Sequence, residues 1–266
     1  MFMIESLLYP LVCERFRSDV RYREGHLRVV NALPQRRVLG LHIPQMRQVA
    51  RLIDKEGLQG ESLPGDRDVI ALFESVPDAS LCYEEIVIWG FLINMRKCGL
   101  EERLAMLERY IPVLDNWAVC DSFCADAKWM AVADRGMLWG FLQRWFDSGR
   151  EFEVRFAVVT SMIYFLTEDW LCKVFQRIES IDIGWVRSDY RSVKGRSEVP
   201  QQGTVQGTEP YYVRMGIAWL LATALAKFPE QTRKFVASSK LPEDVMKLYI
   251  RKARESFRTR EISPKL

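Results

Sequence analysis

Apolar residues recur at three- and four-residue spacing along most of the chain, with charged residues between them, which is the pattern of amphipathic α-helices. Glycine and proline stand mainly at the junctions, and no alternating pattern of convincing strand length appears. The pattern predicts helices over residues 7–16, 27–38, 45–56, 66–76 (capped by Asp66), 83–95, 101–110, a short helix with Trp117 and Asp121, 135–146, 152–166, 169–178 and 211–227.

The rhythm of these helices predicts the architecture. Helices of ten to fifteen residues joined by short turns indicate antiparallel neighbours, and helix pairs every ~40 residues are typical of HEAT-like repeats. We therefore predict an all-α fold, an α-solenoid of HEAT-like antiparallel helix pairs, as a single domain over residues 1–266. The polar, Gly- and Gln-rich segment 188–210 predicts a long loop inserted in it, either a flap over the next helix or an inert surface insertion.

Composition narrows the class of protein. With 266 residues and 48% hydrophobic content the chain can form a full core, and no apolar run reaches the ~18 residues that span a bilayer. The first residues lack the basic start of a signal peptide. The six cysteines are scattered without a C-x-x-C pair, and the two histidines, His26 and His42, lie far from them. This spacing argues against a zinc site and a disulfide framework, and predicts a reducing cytoplasm.

Charge is distributed unevenly. The net charge is +3, yet the chain from Lys227 onward holds eleven basic and five acidic residues. Such a segment can contact phosphates, although a solvated helix face has the same composition.

The stretch 115–124 carries the most informative side chains. Asp115 or Asn116 is suited to cap a short helix, on which Trp117 and Asp121 share a face one turn apart. Burying a carboxylate among small and apolar neighbours costs desolvation free energy, so such a residue is expected to have an ionic partner or a function. An indole beside the carboxylate is suited to bind a flat cation. The alternative is structural: Asp121 as a second cap or the partner of a buried arginine, and Trp117 as core.

Two other residues stand in apolar helices. Arg155 has Phe152 and Val158 among its helical neighbours, so its guanidinium needs an anion: Asp121, another acid or an external phosphate. Trp219 lies in the apolar helix 211–227, where a core tryptophan is the ordinary interpretation.

Three motifs follow one another along the chain: Asn116-Trp117-x-x-x-Asp121, Val154-Arg155-x-Ala157-Val158-Val159 and Tyr212-Val213-Arg214-Met215-x-Ile217-x-Trp219. Taken in this order, they resemble the AlkD-type DNA alkylation repair family, and the resemblance spans roughly residues 37–260. The segments 40–50 and 253–256 resemble the family's early Gly-x-x-x-Pro-x-x-Arg-x-x-Ala segment and its closing helix.

The resemblance implies a concave face that holds double-stranded DNA carrying alkylated bases. It implies a glycosylase that hydrolyses the N-glycosidic bond of N3- or N7-alkylated purines without metal or cofactor, and we expect a monomer. The resemblance also assigns roles to residues: Asp121 is the catalytic carboxylate, and Trp117 and Trp219 flank the lesion nucleotide. Arg155 secures the DNA backbone, and Arg214 is a further DNA-binding residue.

The chain also departs from the family pattern. It has Val154-Arg155 where many members have two arginines, and Leu220-Leu221-Ala222 after the second tryptophan where Ala-Leu-Arg is common. Two phosphate contacts are thus missing. Two functional classes remain open: the glycosylase, and a non-catalytic HEAT-like scaffold that binds nucleic acid or a protein partner.

Overall fold

The structure is a computed structural model that describes residues 4–56, 68–193, 196–198 and 209–265. Over these residues the α-helices are α1 (Glu5–Leu8), α2 (Glu14–Ser18), α3 (Val20–Val30), α4 (Ile43–Glu56), α5 (Val69–Ser75), α6 (Tyr83–Met95), α7 (Leu100–Tyr110), α8 (Trp117–Asp126), α9 (Arg135–Phe146), α10 (Glu151–Tyr164), α11 (Glu168–Glu179), α12 (Tyr211–Lys227), α13 (Pro229–Ser238) and α14 (Glu243–Glu255). Short 3-10 turns lie at Tyr9–Leu11, Asp78–Ser80, Ile111–Val113 and Lys128–Ala131. The all-α prediction is confirmed.

The chain forms two compact units, unit 1 over Met1–Asp134 and unit 2 over Arg135–Leu266. In unit 1, α4 packs on α6 and α6 on α8, while in unit 2, α10 packs on α12 and α12 on α14. This contact between alternate helices is consistent with a helical solenoid, in which successive helix pairs stack on one another. The single domain over 1–266 stays a prediction.

Each unit is built around helices that are buried on nearly all sides. In unit 1, α6 is buried from Tyr83 through Ile93, as its uniformly apolar sequence predicts. In unit 2, α10 is buried from Glu151 through Met162. These central helices hold buried charged side chains as well as apolar ones, and those charges organise the neighbouring segments.

The predicted helices over 7–16 and 27–38 are wrong in their bounds. The first is broken between α1 and α2 by the 3-10 turn that contains Pro10. The second begins earlier, at Val20, because Asp19 caps α3 by accepting a hydrogen bond from the Tyr22 N–H at 3.0 Å. It ends at Val30 because Asn31 is left-handed (φ 51°) and terminates the helix.

Two further predictions, the Asp66 cap and the loop 188–210, involve residues that lie wholly or partly outside the described parts of the chain. Asp66 lies outside the described residues, and the cap of α5 is Asp68, which accepts from the Ile70 N–H at 3.0 Å. Within the predicted loop 188–210, the strands β1 (Arg191–Val193) and β2 (Arg196–Glu198) pair antiparallel as a short hairpin, and the loop insertion stays a prediction. Residues 194–195 and 199–208 lie outside the described residues, and the flap stays a prediction.

No helix among the described residues is long and apolar enough to cross a membrane.

Candidate functional site

The start of α8 is fixed by one buried side chain. Asn116 is its cap: the side-chain Oδ1 accepts a hydrogen bond from the Ala118 N–H at 2.7 Å. The same amide donates through Nδ2 to the carbonyl oxygens of Val30 at 2.7 Å and Asn31 at 3.2 Å. Asn116 therefore anchors α8 to the end of α3. Asp115, the other candidate cap, instead pairs with Arg36, with 2.7 Å between Oδ2 and Nε.

Trp117 and Asp121 occupy the exposed edge of this anchored helix. Both side chains are half-buried, whereas Ala118 and Cys120 between them are buried. The Trp117 indole Nε1 donates to the Val29 carbonyl at 3.2 Å, so the ring is held against α3. Spacing by four residues puts Asp121 on the same helix face, one turn further on. The start of α8, which the Asn116 cap holds in place, thus presents an indole and a half-buried aspartate together.

A cavity of about 540 Å³ lies in unit 1 beside Trp117. Its walls come from α3, from the segment 41–43, and from the first residues of α6 and α8. Its aromatic lining residues are Tyr22, His26, His42, Tyr83 and Trp117. The lining includes Ala118 on α8 but not Asp121, so the carboxylate lies outside the cavity wall.

Both of the chain's two histidines line this cavity. Their ring centroids are 5.1 Å apart in an edge-to-face arrangement, and the Tyr22 hydroxyl lies 2.9 Å from His42 Nε2. Burial lowers the pKa of His26, and the neighbouring His42 lowers that pKa further. Sequence reasoning considered the histidines only as zinc ligands and missed their place here. Tyr22 and His26 are four residues apart, a spacing that indicates a shared helix face.

A buried carboxylate positions the segment that carries His42. Glu84 on α6 is fully buried and accepts hydrogen bonds from the N–H groups of Leu39 (3.0 Å), Gly40 (2.8 Å) and Leu41 (3.3 Å). Gly40 has φ +102°, and a Cβ there would lie 2.5 Å from the Phe16 ring. Burial raises the pKa of Glu84, against the hydrogen bonds, which lower it. The turn therefore depends on both the glycine and the acid.

In unit 2, Arg155 is 3% exposed and lies inside the packing of α10 and α12. Its Nη1 donates to the Tyr212 carbonyl at 2.6 Å, and the guanidinium lies beside Gly216 of α12. The nearby acid is Glu151, one turn earlier on α10, whose Oε1 accepts from the Tyr212 N–H at 2.5 Å. Glu151 also accepts a hydrogen bond from the Ser188 hydroxyl. The Glu151 and Arg155 side chains together hold the start of α12.

Burial raises the pKa of Glu151 to about 7, against its hydrogen bonds and the charge of Arg155, which lower it. A carboxyl whose pKa rises on folding stabilises the fold below its unfolded pKa, and this stabilisation is lost as pH rises through about 7. We expect the unfolding free energy of the parent to fall relative to that of Glu151→Gln by about 3 kcal/mol between about pH 4.5 and pH 8. Urea unfolding of both proteins across this range measures it, and parallel pH profiles would contradict the assignment.

Trp219 and Arg214 lie on α12. Trp219 is 39% exposed, so the interpretation as a core tryptophan does not fit. Arg214 pairs with Glu209 at 3.1 Å and with Asp244 at 3.0 Å. Trp117 and Asp121 belong to unit 1, whereas Arg155, Arg214 and Trp219 belong to unit 2; their convergence on one surface stays a prediction.

Among the described residues, no group of three or more His, Cys, Asp or Glu side chains could hold a metal ion.

Fold and site define an all-α protein that presents an indole and a carboxylate from one anchored helix. The model of the DNA alkylation repair enzyme family matches residues 22–181, and the chain belongs to this family. The matched range contains α8, α10 and all of the cavity wall except Arg21, while Arg214 and Trp219 lie beyond it. No curated protein and no solved structure matches the chain. Membership supports an enzymatic role in DNA repair, with DNA as the substrate.

Proposed function

We propose that the protein is a monofunctional DNA glycosylase that releases N3- or N7-alkylated purines from double-stranded DNA. The observation that carries the proposal is the pairing of Trp117 and Asp121 on one face of α8. The Asn116 cap holds the start of that helix against α3, in a chain of the DNA alkylation repair enzyme family.

The chemistry of the substrate suits these two side chains. An alkylated purine carries a positive charge and is a good leaving group, so the enzyme needs little acid catalysis. As the N-glycosidic bond breaks, positive charge moves onto the sugar, and a preorganised carboxylate stabilises it. Asp121 can also accept a hydrogen bond from the attacking water. The indole face of Trp117 attracts the cationic ring before and during bond breakage.

Base release tests the proposal. The purified protein is incubated with a duplex that holds a single N7-methylguanine, and the products are separated by chromatography. We expect free 7-methylguanine and a continuous strand with an abasic site. Binding of the duplex without base release would instead favour a scaffold that holds nucleic acid.

Salt dependence tests the assignment of Arg155 to the DNA backbone. A protein held by phosphates loses affinity steeply with salt, and removing one contact lowers the slope of log K against log salt by about one unit. We expect this change for Arg155→Ala, measured by fluorescence anisotropy. In the structure this guanidinium is bonded to the Tyr212 carbonyl, so DNA contact requires it to turn outward. An unchanged slope would restrict Arg155 to its place within unit 2.

A further inference from the structure

The cavity beside Trp117 is suited to a flat ring. Aromatic side chains on α3, on the segment 41–43 and at the starts of α6 and α8 surround it. No Asp or Glu lines it among the described residues, and its one strongly basic lining residue is Arg21, which is exposed. Its volume of about 540 Å³ falls in the range of small-molecule sites, which are mainly apolar with a few polar groups.

One polar atom in the wall is unused. His26 Nε2 is buried and has no hydrogen-bond partner among the described residues. The rest of this imidazole packs edge-on against Phe16 at 5.3 Å and against His42 at 5.1 Å between ring centroids. A buried polar atom without a partner costs free energy, so packing alone would favour an apolar ring here. A ligand that reaches this nitrogen explains a histidine at this position.

We propose that this cavity is a binding site for a purine ring, whose edge hydrogen-bonds to His26 Nε2 and whose faces contact the aromatic wall. The identity of the ring as a purine rests on the proposed function. A neutral imidazole nitrogen either accepts or donates a hydrogen bond, and purine edges offer both kinds of group. Burial lowers the pKa of His26, which favours the neutral imidazole.

A direct probe is available because the chain has two histidines and both line the cavity. Imidazole ¹H–¹⁵N spectra of the full chain therefore report on this site with two sets of signals. We expect 3-methyladenine to shift the His26 signals saturably. Histidine signals that do not move up to the solubility limit of 3-methyladenine would overturn the proposal.

A glycine on α3 offers a variant that fills the cavity without disturbing the fold. Gly25 lines the cavity, and a Cβ added there meets no heavy atom within 4 Å. Gly25→Leu should therefore fold normally and weaken 3-methyladenine binding at least roughly tenfold by occupying its space. Gly140→Leu on α9 is the matched control, since a Cβ at Gly140 also meets nothing within 4 Å. Equal binding by the two variants would contradict the proposal.

His26→Phe separates binding from packing. Phenylalanine keeps an aromatic ring at this position but removes the buried nitrogen. We expect Tm to rise by about 2–4 °C as the unpartnered polar atom is lost. Affinity for 3-methyladenine should fall roughly tenfold, the equivalent of one hydrogen bond. A lower Tm with unchanged affinity would show that His26 serves the fold alone.

The inference and the proposed function fail in different ways. If base release from alkylated duplex occurs while 3-methyladenine leaves the histidine signals unchanged, the glycosylase stands and the purine site is wrong. If 3-methyladenine binds in the cavity and no base is released from DNA, the site stands and the glycosylase is wrong.

Discussion

Asp121→Asn is expected to slow single-turnover release of 7-methylguanine by roughly 10²–10³-fold, comparable with removing one preorganised electrostatic group. Asparagine keeps the shape and hydrogen-bonding capacity of the side chain but removes the negative charge that stabilises the developing positive charge on the sugar. Duplex binding should stay the same or improve slightly, because an anion facing phosphates is lost. Rapid-quench measurement with enzyme in excess separates the chemical step from binding.

Asp126→Asn is the matched control for this change. Asp126 lies on the same helix and pairs with Arg47 on α4 at 3.1 Å, so the substitution removes a carboxylate that already has an ionic partner. We expect it to leave the single-turnover rate within about twofold of the parent, since its charge is already paired with the Arg47 guanidinium. If Asp121→Asn is as fast as Asp126→Asn, then the carboxylate of Asp121 has no chemical role. A collapse of the fold in Asp121→Asn would instead support a structural role.

Glu84→Gln is expected to lower the free energy of unfolding by about 2–4 kcal/mol. The carboxylate accepts hydrogen bonds from the N–H groups of Leu39, Gly40 and Leu41, and it is fully buried. All three N–H groups bond to Oε1, and the Leu39 N–H also bonds to Oε2 at 3.0 Å. Glutamine removes the charge that strengthens these bonds and turns an NH₂ donor toward the Leu39 N–H. Urea unfolding followed by circular dichroism measures the loss.

The neighbouring Glu85 supplies the control for this stability effect. Its Oε2 accepts a hydrogen bond from the Cys82 N–H at 2.8 Å at the start of the same helix, and the Cys82 thiol is its other partner. Glu85→Gln should therefore cost about 1 kcal/mol. If Glu84→Gln is no more destabilising than Glu85→Gln, then the turn before His42 does not depend on the buried acid.

Local signals in the sequence were enough to predict most of the helices. The interior helices α6, α9 and α12 have the predicted bounds, because an apolar run between breakers determines where they begin and end. Asn116 was one of two candidate caps for α8, since its side chain can satisfy a free N–H at the helix start. Trp117 and Asp121 share a face by the same local geometry.

Long-range contacts determine what local signals could not predict. The cavity is lined by Tyr22 and His26 on α3 and by His42 further along the chain. Between them the chain reverses at the left-handed Asn31 and makes a turn whose N–H groups bond to Glu84 on α6. No short-range pattern brings those residues together. The sequence does allow the acid beside Arg155 to be predicted, because Glu151 precedes Arg155 by four residues on one helix. Its burial, and its bond to the Tyr212 N–H, follow from packing against α12.

Release of free 7-methylguanine from a defined duplex by the purified parent protein tests the central claim most directly. Two duplexes that differ only in the N7-methyl group are compared, and the released base is identified by mass spectrometry. We predict a burst of 7-methylguanine from the methylated duplex, no guanine from the unmodified one, and loss of the burst in Asp121→Asn. Saturating binding of the methylated duplex with no base released would contradict the assignment of Trp117 and Asp121 to glycosidic bond cleavage.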